Sequence, residues 1–384
     1  MKYLKYYISP ATIIVAVYVS SLGTFYPTVF FIGFSLFIIL GDIMIKDDSA
    51  EEDYNNVFLL NLPIYINFPL VLVLVYLTVF VLSSDPSIAV ANWVQQILNI
   101  DLFAIKNAMH TLDAIFLVAL TSLYIGVMGT VPGHELVHRI KNRFDMFIGN
   151  WLLAISWDCA FAVEHVYGHH KNVGLESDPA TAKRGENLYG FVLRAIGKEH
   201  SDAWKLENRR LMKNNRFRFS LGNRMLVGYM RSISLSVVAF LIGGISGMLI
   251  FLLCSFIAKC LLEVINYTEH YGLVRVQGQP VKPHHSWNTN SAISSIYLYN
   301  VTRHSSHHEK SHLKFWELKS YVDAPTMPQG YLSMLYLAIF LPRLYHNIMA
   351  KRLIDWDQNY ASAEELKLSY LHNQRSNIPL LQNK

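Results

Sequence analysis

Six long apolar stretches constrain this chain more than any other feature. They cover approximately residues 8–22, 27–45, 57–82, 111–133, 232–249 and 250–268. A bilayer core about 30 Å thick is crossed by roughly 20 apolar residues in a helix. Only 16% of the side chains are charged and 52% are hydrophobic, whereas about a quarter are charged in an ordinary soluble domain. The expected architecture is one all-α integral membrane domain, residues 1–384, with six transmembrane helices. Ser20-Ser21-Leu22-Gly23 and Pro27 divide the first two stretches into a tight helical hairpin. Pro63 and Pro69 predict a kink or a late start in the third. The last two are continuous in hydropathy, with Gly243, Gly244 and Gly247 just before their boundary. Residues 146–163 are apolar but carry Asp158, and 329–347 are broken by Pro342 and Arg343. Both read as interfacial or re-entrant helices rather than spans. Lys2 and Lys5 precede an apolar run, as in a signal peptide. A second apolar stretch follows at once and no Ala-x-Ala site closes the first, so a retained hairpin is expected.

Basic residues set the expected orientation. Residues 134–231 hold sixteen Lys and Arg and 269–384 hold twelve, while 83–110 hold only Lys106. The positive-inside rule then places both termini, 134–231 and 269–384 on the cytoplasmic side. The net charge of +5 points to anionic lipid headgroups, and no nucleic-acid-binding motif accompanies it. Cys159, Cys254 and Cys260 are scattered in apolar context with no C-x-x-C pair, which argues for buried thiols rather than disulfides or a zinc site.

Nine histidines stand in four groups on the side expected to be cytoplasmic. They are His134 and His138; His165, His169 and His170; the single His270; and His304, His307 and His308. On an α-helix, residues four apart lie roughly 40° apart around the axis. His134 and His138 should share a face, as should His165 and His169 with His170 beside them, and the last three likewise. Imidazole-only ligation suits iron, copper, zinc or nickel, not magnesium or calcium. His134-Glu-Leu-Val-His138 also fits the zinc-protease pattern, but that motif needs one further ligand and leaves six clustered histidines unexplained.

Taken together, the boxes resemble those of the alkane and xylene monooxygenases, membrane-bound non-haem di-iron hydroxylases of the fatty acid desaturase-like superfamily. The matching segments are His134-Glu-Leu-Val-His138-Arg139, Glu164-His165-x-x-Gly168-His169-His170, Asn266-Tyr267-x-Glu269-His270-Tyr271-Gly272-Leu273 and Arg303-His304-x-x-His307-His308. The tail motifs Trp316-Glu317-Leu318-Lys319 and Asp355-Trp356-Asp357 look closer to the xylene type, the last histidine box to the alkane type. The resemblance implies two iron ions held by the nine histidines in a cytoplasmic domain beneath six spans of a bacterial inner membrane. It also implies hydroxylation of a methyl group with oxygen, and a rubredoxin or ferredoxin-type donor with its reductase.

Glu135, Glu164 and Glu269 each adjoin a boxed histidine, and a neighbour in a helix points about 100° away. Carboxylates that orient imidazoles of other boxes are expected there, with metal bridging as the alternative. Asp158 is expected either to hydrogen-bond a ligand histidine or to cap at the interface. His284-His285-Ser286-Trp287 is expected to order a loop over the site, with a spare metal ligand as the alternative. The functional expectation is a membrane monooxygenase acting on an apolar small molecule, an alkane or alkyl-aromatic. Its rivals are desaturation, hydroxylation or decarboxylation of a fatty acyl chain on the same scaffold, and a non-catalytic metal carrier.

Overall fold

In the computed structural model, which describes residues 2–321 and 323–382, the ordered segments are helices and no strand forms among those residues; one isolated bridge joins Asn288 and Thr326. In chain order the helices are α1 (Ile8–Ser21), α2 (Tyr26–Met44), α3 (Val57–Leu82), α4 (Ile88–Leu98), α5 (Leu102–Asn107), α6 (Thr111–Tyr124), α7 (Val131–Val137), α8 (Arg143–Ile155), α9 (Phe161–Glu164), α10 (His170–Asn172), α11 (Leu188–Lys213), α12 (Arg224–His270), α13 (Ala292–Tyr297), α14 (His304–Glu309), α15 (Tyr331–Phe340), α16 (Pro342–Asn359), α17 (Ala363–Arg375) and α18 (Pro379–Gln382).

Four helical runs are long and apolar enough to cross a membrane: α2, α3, α6 through α7, and α12. Their side chains confirm the environment. Ile32, Leu36, Phe37, Leu40 and Ile43 on α2 are exposed, as are Val237, Leu241, Ile245, Leu249, Leu253 and Phe256 on α12. Apolar faces of that extent are not left to water; the chain is an all-helical integral membrane protein. α1 has only 14 residues, short of a full span by itself.

α12 corrects the expected boundary between the fifth and sixth stretches. Its 47 residues are two helices, interrupted at Gly243 and at Gly244, where φ is +60°. The turn falls there, not between residues 249 and 250, because Gly244 adopts a left-handed conformation that side chains rarely take and a Cβ on Gly243 would lie 2.7 Å from Ser83 Cβ. The two arms run back along each other: Ser232 donates to the Ala154 carbonyl and Ser255 to that of Ile155. α3 begins at Val57, capped by the Asn56 side chain, and continues through both Pro63 and Pro69 without a late start.

The helices fall into two units. The first comprises Met1–Phe37, Asn55–Cys159 and Leu226–Lys259. Its hydrogen bonds join spans through small polar groups. Asn67 donates to Ser9 Oγ and the Met128 carbonyl, and Thr78 bonds Thr121. Buried Asp113 fixes the turn between α1 and α2 by accepting from Thr28 Oγ1 and the Phe25 amide. The stretch 83–110 is largely helical: α4 exposes Ile88, Trp93, Ile97 and Leu98, and the Lys106 amine caps α3 through the Val81 and Ser83 carbonyls.

The second unit comprises Ile38–Tyr54, Ala160–Met225 and Cys260–Lys384. Asp42, at the end of α2, accepts from the hydroxyls of Ser291, Ser294 and Ser333 at 2.7–2.8 Å, joining α2 to α13 and α15. The apolar run 329–347 divides at Leu341–Pro342 into α15 and α16.

Candidate metal centre

The second unit gathers four imidazoles from distant parts of the chain. His169 comes from a π-helical turn, His165–His169; His270 ends α12; His304 and His308 lie one turn apart on α14. Their Nε2 atoms form a chain of short distances: His169 to His308 3.3 Å, His308 to His304 2.9 Å, and His304 to His270 3.1 Å. Metal–nitrogen bonds of about 2.1 Å put adjacent ligand nitrogens about 3.0–3.4 Å apart. All four rings are buried, and the donor set fits a transition-metal ion.

The outward nitrogens of three of these rings have acceptors. His169 Nδ1 lies 3.0 and 3.1 Å from the two Asp178 oxygens, His270 Nδ1 3.2 Å from the His285 carbonyl, and His304 Nδ1 3.3 Å from the Val301 carbonyl. A proton held on Nδ1 leaves Nε2 as the ligand nitrogen. Asp178 was invisible to sequence reasoning: it is one acidic residue before Pro179 in a polar loop, with no spacing rule pointing to it. Burial by itself would raise its carboxyl, but the His169 ring and the Thr181 hydroxyl hold it below the usual carboxylate range.

The same unit also brings together His165, His170 and His307. His165 and His170 bring their Nε2 atoms within 3.1 Å. The His307 ring lies 4.7 Å from that of His170 and 6.1 Å from that of His165. This corrects the expected faces. His169 and His165 belong to different sets, as do His307 and its helix neighbours His304 and His308. The reason for the first division is the π turn, which places residues five apart, not four, in register. In the first unit, His134 and His138 are packed edge to face with ring centres 4.8 Å apart.

The four singled-out carboxylates have distinct surroundings. Glu135 accepts from Arg139 at 2.7 and 3.0 Å, and the same guanidinium reaches Asn61 and Asp145. Asp158 pairs with Lys259 at 2.8 Å within the first unit. Glu164 packs on Gly168, where a Cβ would come within 2.2 Å of its Oε1; burial first, then the Asp178 charge, push its carboxyl up to about 8. Glu269 Oε2 lies 3.3 Å from His304 Nε2, the inward nitrogen rather than the outward one that an orienting partner would take.

Further from the metal sets, His285 donates from Nε2 to Glu365 at 2.7 Å and accepts the Lys282 amide on Nδ1 at 2.9 Å. Both nitrogens are engaged, so this pair fastens α17 to the loop whose carbonyl holds His270. The tail motifs act similarly. Arg184 makes two 2.7 Å bonds to Asp357 and one of 2.9 Å to the Gly272 carbonyl. Arg303 Nη1 holds the Leu318 carbonyl at 2.7 Å.

Comparison with known proteins agrees with this geometry. The fatty acid desaturase family model matches residues 111–338. The chain is 35% identical over 256 residues to alkane 1-monooxygenase 1 of Pseudomonas aeruginosa, with 65% of each chain covered. It is 36% identical over 230 residues to alkane 1-monooxygenase 1 of Alcanivorax borkumensis, covering 58% of this chain and 56% of that one. With the xylene/toluene monooxygenase hydroxylase component XylM of Pseudomonas putida it shares 30% over 283 residues, 72% of this chain and 76% of that one. The matched part spans somewhat less than two thirds of the two alkane 1-monooxygenases. The chain belongs to the fatty acid desaturase family and, within it, to the alkane and xylene monooxygenase family.

Proposed function

We propose that this chain is a membrane-bound, O2-dependent monooxygenase that hydroxylates a terminal or benzylic methyl group of an apolar substrate, an alkane or an alkyl-aromatic. The observation that carries this reading is the buried set His169, His270, His304 and His308, with facing nitrogens 2.9–3.3 Å apart, in a chain whose relatives are named alkane 1-monooxygenase and xylene/toluene monooxygenase hydroxylase component. The nine histidines His134, His138, His165, His169, His170, His270, His304, His307 and His308 are the proposed ligands of two iron ions. Bound iron supplies the redox range that C–H cleavage requires and that zinc lacks.

The protein's own residues do the rest. Asp178 and the His285 and Val301 carbonyls hold imidazole rings in one tautomer and one orientation. Burial of the set keeps water from competing at the reactive position. The long apolar helices give a nonpolar substrate an approach from the lipid. The chain carries no nicotinamide or flavin motif, so electrons are assigned to a rubredoxin or ferredoxin-type carrier with its own reductase. The proposed orientation has six spans in a bacterial inner membrane, with both termini and the histidines on the cytoplasmic side, where the basic residues concentrate.

Desaturation or decarboxylation of a fatty acyl chain is the second reading, favoured by the description of the family matched over 111–338. Product analysis by mass spectrometry separates the two. Membranes containing the protein and a matched donor are given alkanes, toluene-type substrates and fatty acids. Primary or benzylic alcohols support hydroxylation; alkenes as the sole products would replace it with the second reading.

A further inference from the structure

Beside the four-histidine set, the second unit buries a group of phenols that metal binding does not use. Tyr267 and Tyr271 flank Glu269 and His270 at the end of α12, and Tyr345 lies on α16; all three are at most 1% exposed. Their ring centres are 5.1, 5.3 and 5.5 Å apart, each ring touching the other two. The His346 ring stacks on Tyr271 at 5.5 Å. Tyr331, also buried, lies 6.5 Å from the ligand ring His304. These separations are those of aromatic contact, about 4.5–7 Å.

Tyr271 Oη accepts the Gly185 amide at 2.9 Å, but packing does not ask for a phenol at position 345. Tyr345 Oη is buried with no hydrogen-bond partner among the described residues, an unfavourable state that phenylalanine would avoid. Tyr267 Oη donates to the Glu186 carbonyl at 2.7 Å and also lies 2.8 Å from His346 Nε2. A carbonyl cannot keep a proton, whereas an imidazole nitrogen can. Burial holds the half-buried His346 below its ordinary range, which favours the neutral imidazole.

Building on the proposed oxygenase activity, we infer that Tyr271, Tyr267 and Tyr345, ending on His346, form a charge-transfer relay that discharges the oxidised metal centre when no substrate is bound. In the step, the phenol of Tyr267 would lose one electron through Tyr271, which adjoins His270 in the chain, and an oxidised centre held by His169, His270, His304 and His308 would take up that one equivalent. The Tyr267 O–H bond breaks and the proton passes to His346 Nε2. The products are a neutral phenoxyl radical and an imidazolium. The external electron donor then restores the phenol. Such a path spares the ligand histidines from oxidation during unproductive cycles.

Two experiments test the relay. Metal-loaded protein in lipid nanodiscs is reduced, mixed with O2 without substrate, freeze-quenched and measured by electron paramagnetic resonance. A tyrosyl signal is expected in the parent protein, lost in Tyr267→Phe and several-fold weaker in His346→Phe. With substrate present, Tyr267→Phe should keep its initial rate but inactivate after several-fold fewer turnovers. A tyrosyl signal unchanged by Tyr267→Phe, or none in a parent preparation that hydroxylates substrate, overturns the relay. Should no hydroxylation occur, the proposed activity fails separately, and the relay is still decided on metal-free protein by flash oxidation with a ruthenium photo-oxidant. A phenoxyl transient dependent on both Tyr267 and His346 supports it, and one indifferent to Tyr267→Phe refutes it.

Discussion

His165 and His170 are five residues apart, yet their Nε2 atoms face each other across 3.1 Å. An α-helix would align residues three and four apart. The π-helical turn at His165–His169 realigns the chain, so that His169 points into one set of imidazoles while His165 and His170 point into another. π turns inside helices are rare and concentrate at functional sites.

Gly168 lies within that turn, and its lack of a side chain makes room for the Glu164 carboxylate. Gly168→Ala would place a methyl 2.2 Å from Oε1 and 2.9 Å from Cδ. Overpacking of this kind costs about 1–3 kcal/mol. The expected outcome is a lower melting temperature together with metal loss, measured by elemental analysis per chain. Unchanged metal content would show that the turn does not depend on this close approach.

The long apolar helices α2, α3, α6 through α7 and α12 were legible because hydropathy requires only composition over some twenty residues. α3 was expected at 57–82 and lies at Val57–Leu82. The turn in α12 was misplaced because apolar residues continue through it; only the backbone of Gly243 and Gly244 marks it. The histidine boxes were legible as motifs, but their division was not, since α-helical spacing cannot reveal a π turn. Asp178 and Glu365 were missed because their roles depend on loops and helices far away in sequence.

Asp178 faces His169 with both oxygens and receives the Thr181 hydroxyl. Asp178→Asn keeps the shape and removes the charge that raises imidazole basicity. Partners of this kind typically change metal affinity about 10- to 100-fold, and a loss in that range is expected by competition with a chelator. An unchanged affinity would reduce Asp178 to a loop-ordering residue.

Glu164 and Glu269 should separate. Glu269 approaches the inward nitrogen of His304, whereas Glu164 lies against Gly168. Glu269→Gln is expected to lower metal content as severely as His304→Ala, while Glu164→Gln keeps most of the metal and lowers turnover. Metal and rate measured in one preparation decide this, and equal retention of metal by both variants would contradict the distinction.

The side chain of Arg139, 8% exposed, lies among Glu135, Asp145 and Asn61. Removing one partner of a buried ion pair leaves uncompensated charge and costs about 3–5 kcal/mol. Arg139→Ala should lose stability on that scale in a denaturation series. A loss below about 1 kcal/mol, the level of an exposed pair, would contradict the network.

Glu207 gives the pH prediction. It is buried and accepts from Arg210 and Arg224 at 2.7–2.8 Å. Burial opposes its charge, but the two guanidiniums prevail and hold the carboxyl at about 2. A folded value below the unfolded one, about 4.3, means that its stabilisation is fully present above the unfolded value. That stabilisation falls away as pH drops toward 2. Glu207→Gln should be less stable than the parent at neutral pH, with the gap closing over that window. A gap independent of pH would contradict this assignment.

The central claim is that this chain uses molecular oxygen and iron held by its histidines to hydroxylate an apolar methyl group. Turnover under ¹⁸O2 in ordinary water, with membranes, a matched electron donor and an alkane or alkyl-aromatic, tests it most directly. The account predicts a terminal or benzylic alcohol carrying one ¹⁸O atom, formed by the parent protein and absent in His138→Ala and His307→Ala. An alcohol whose oxygen comes from water, or product formation undiminished in both histidine variants, would contradict it.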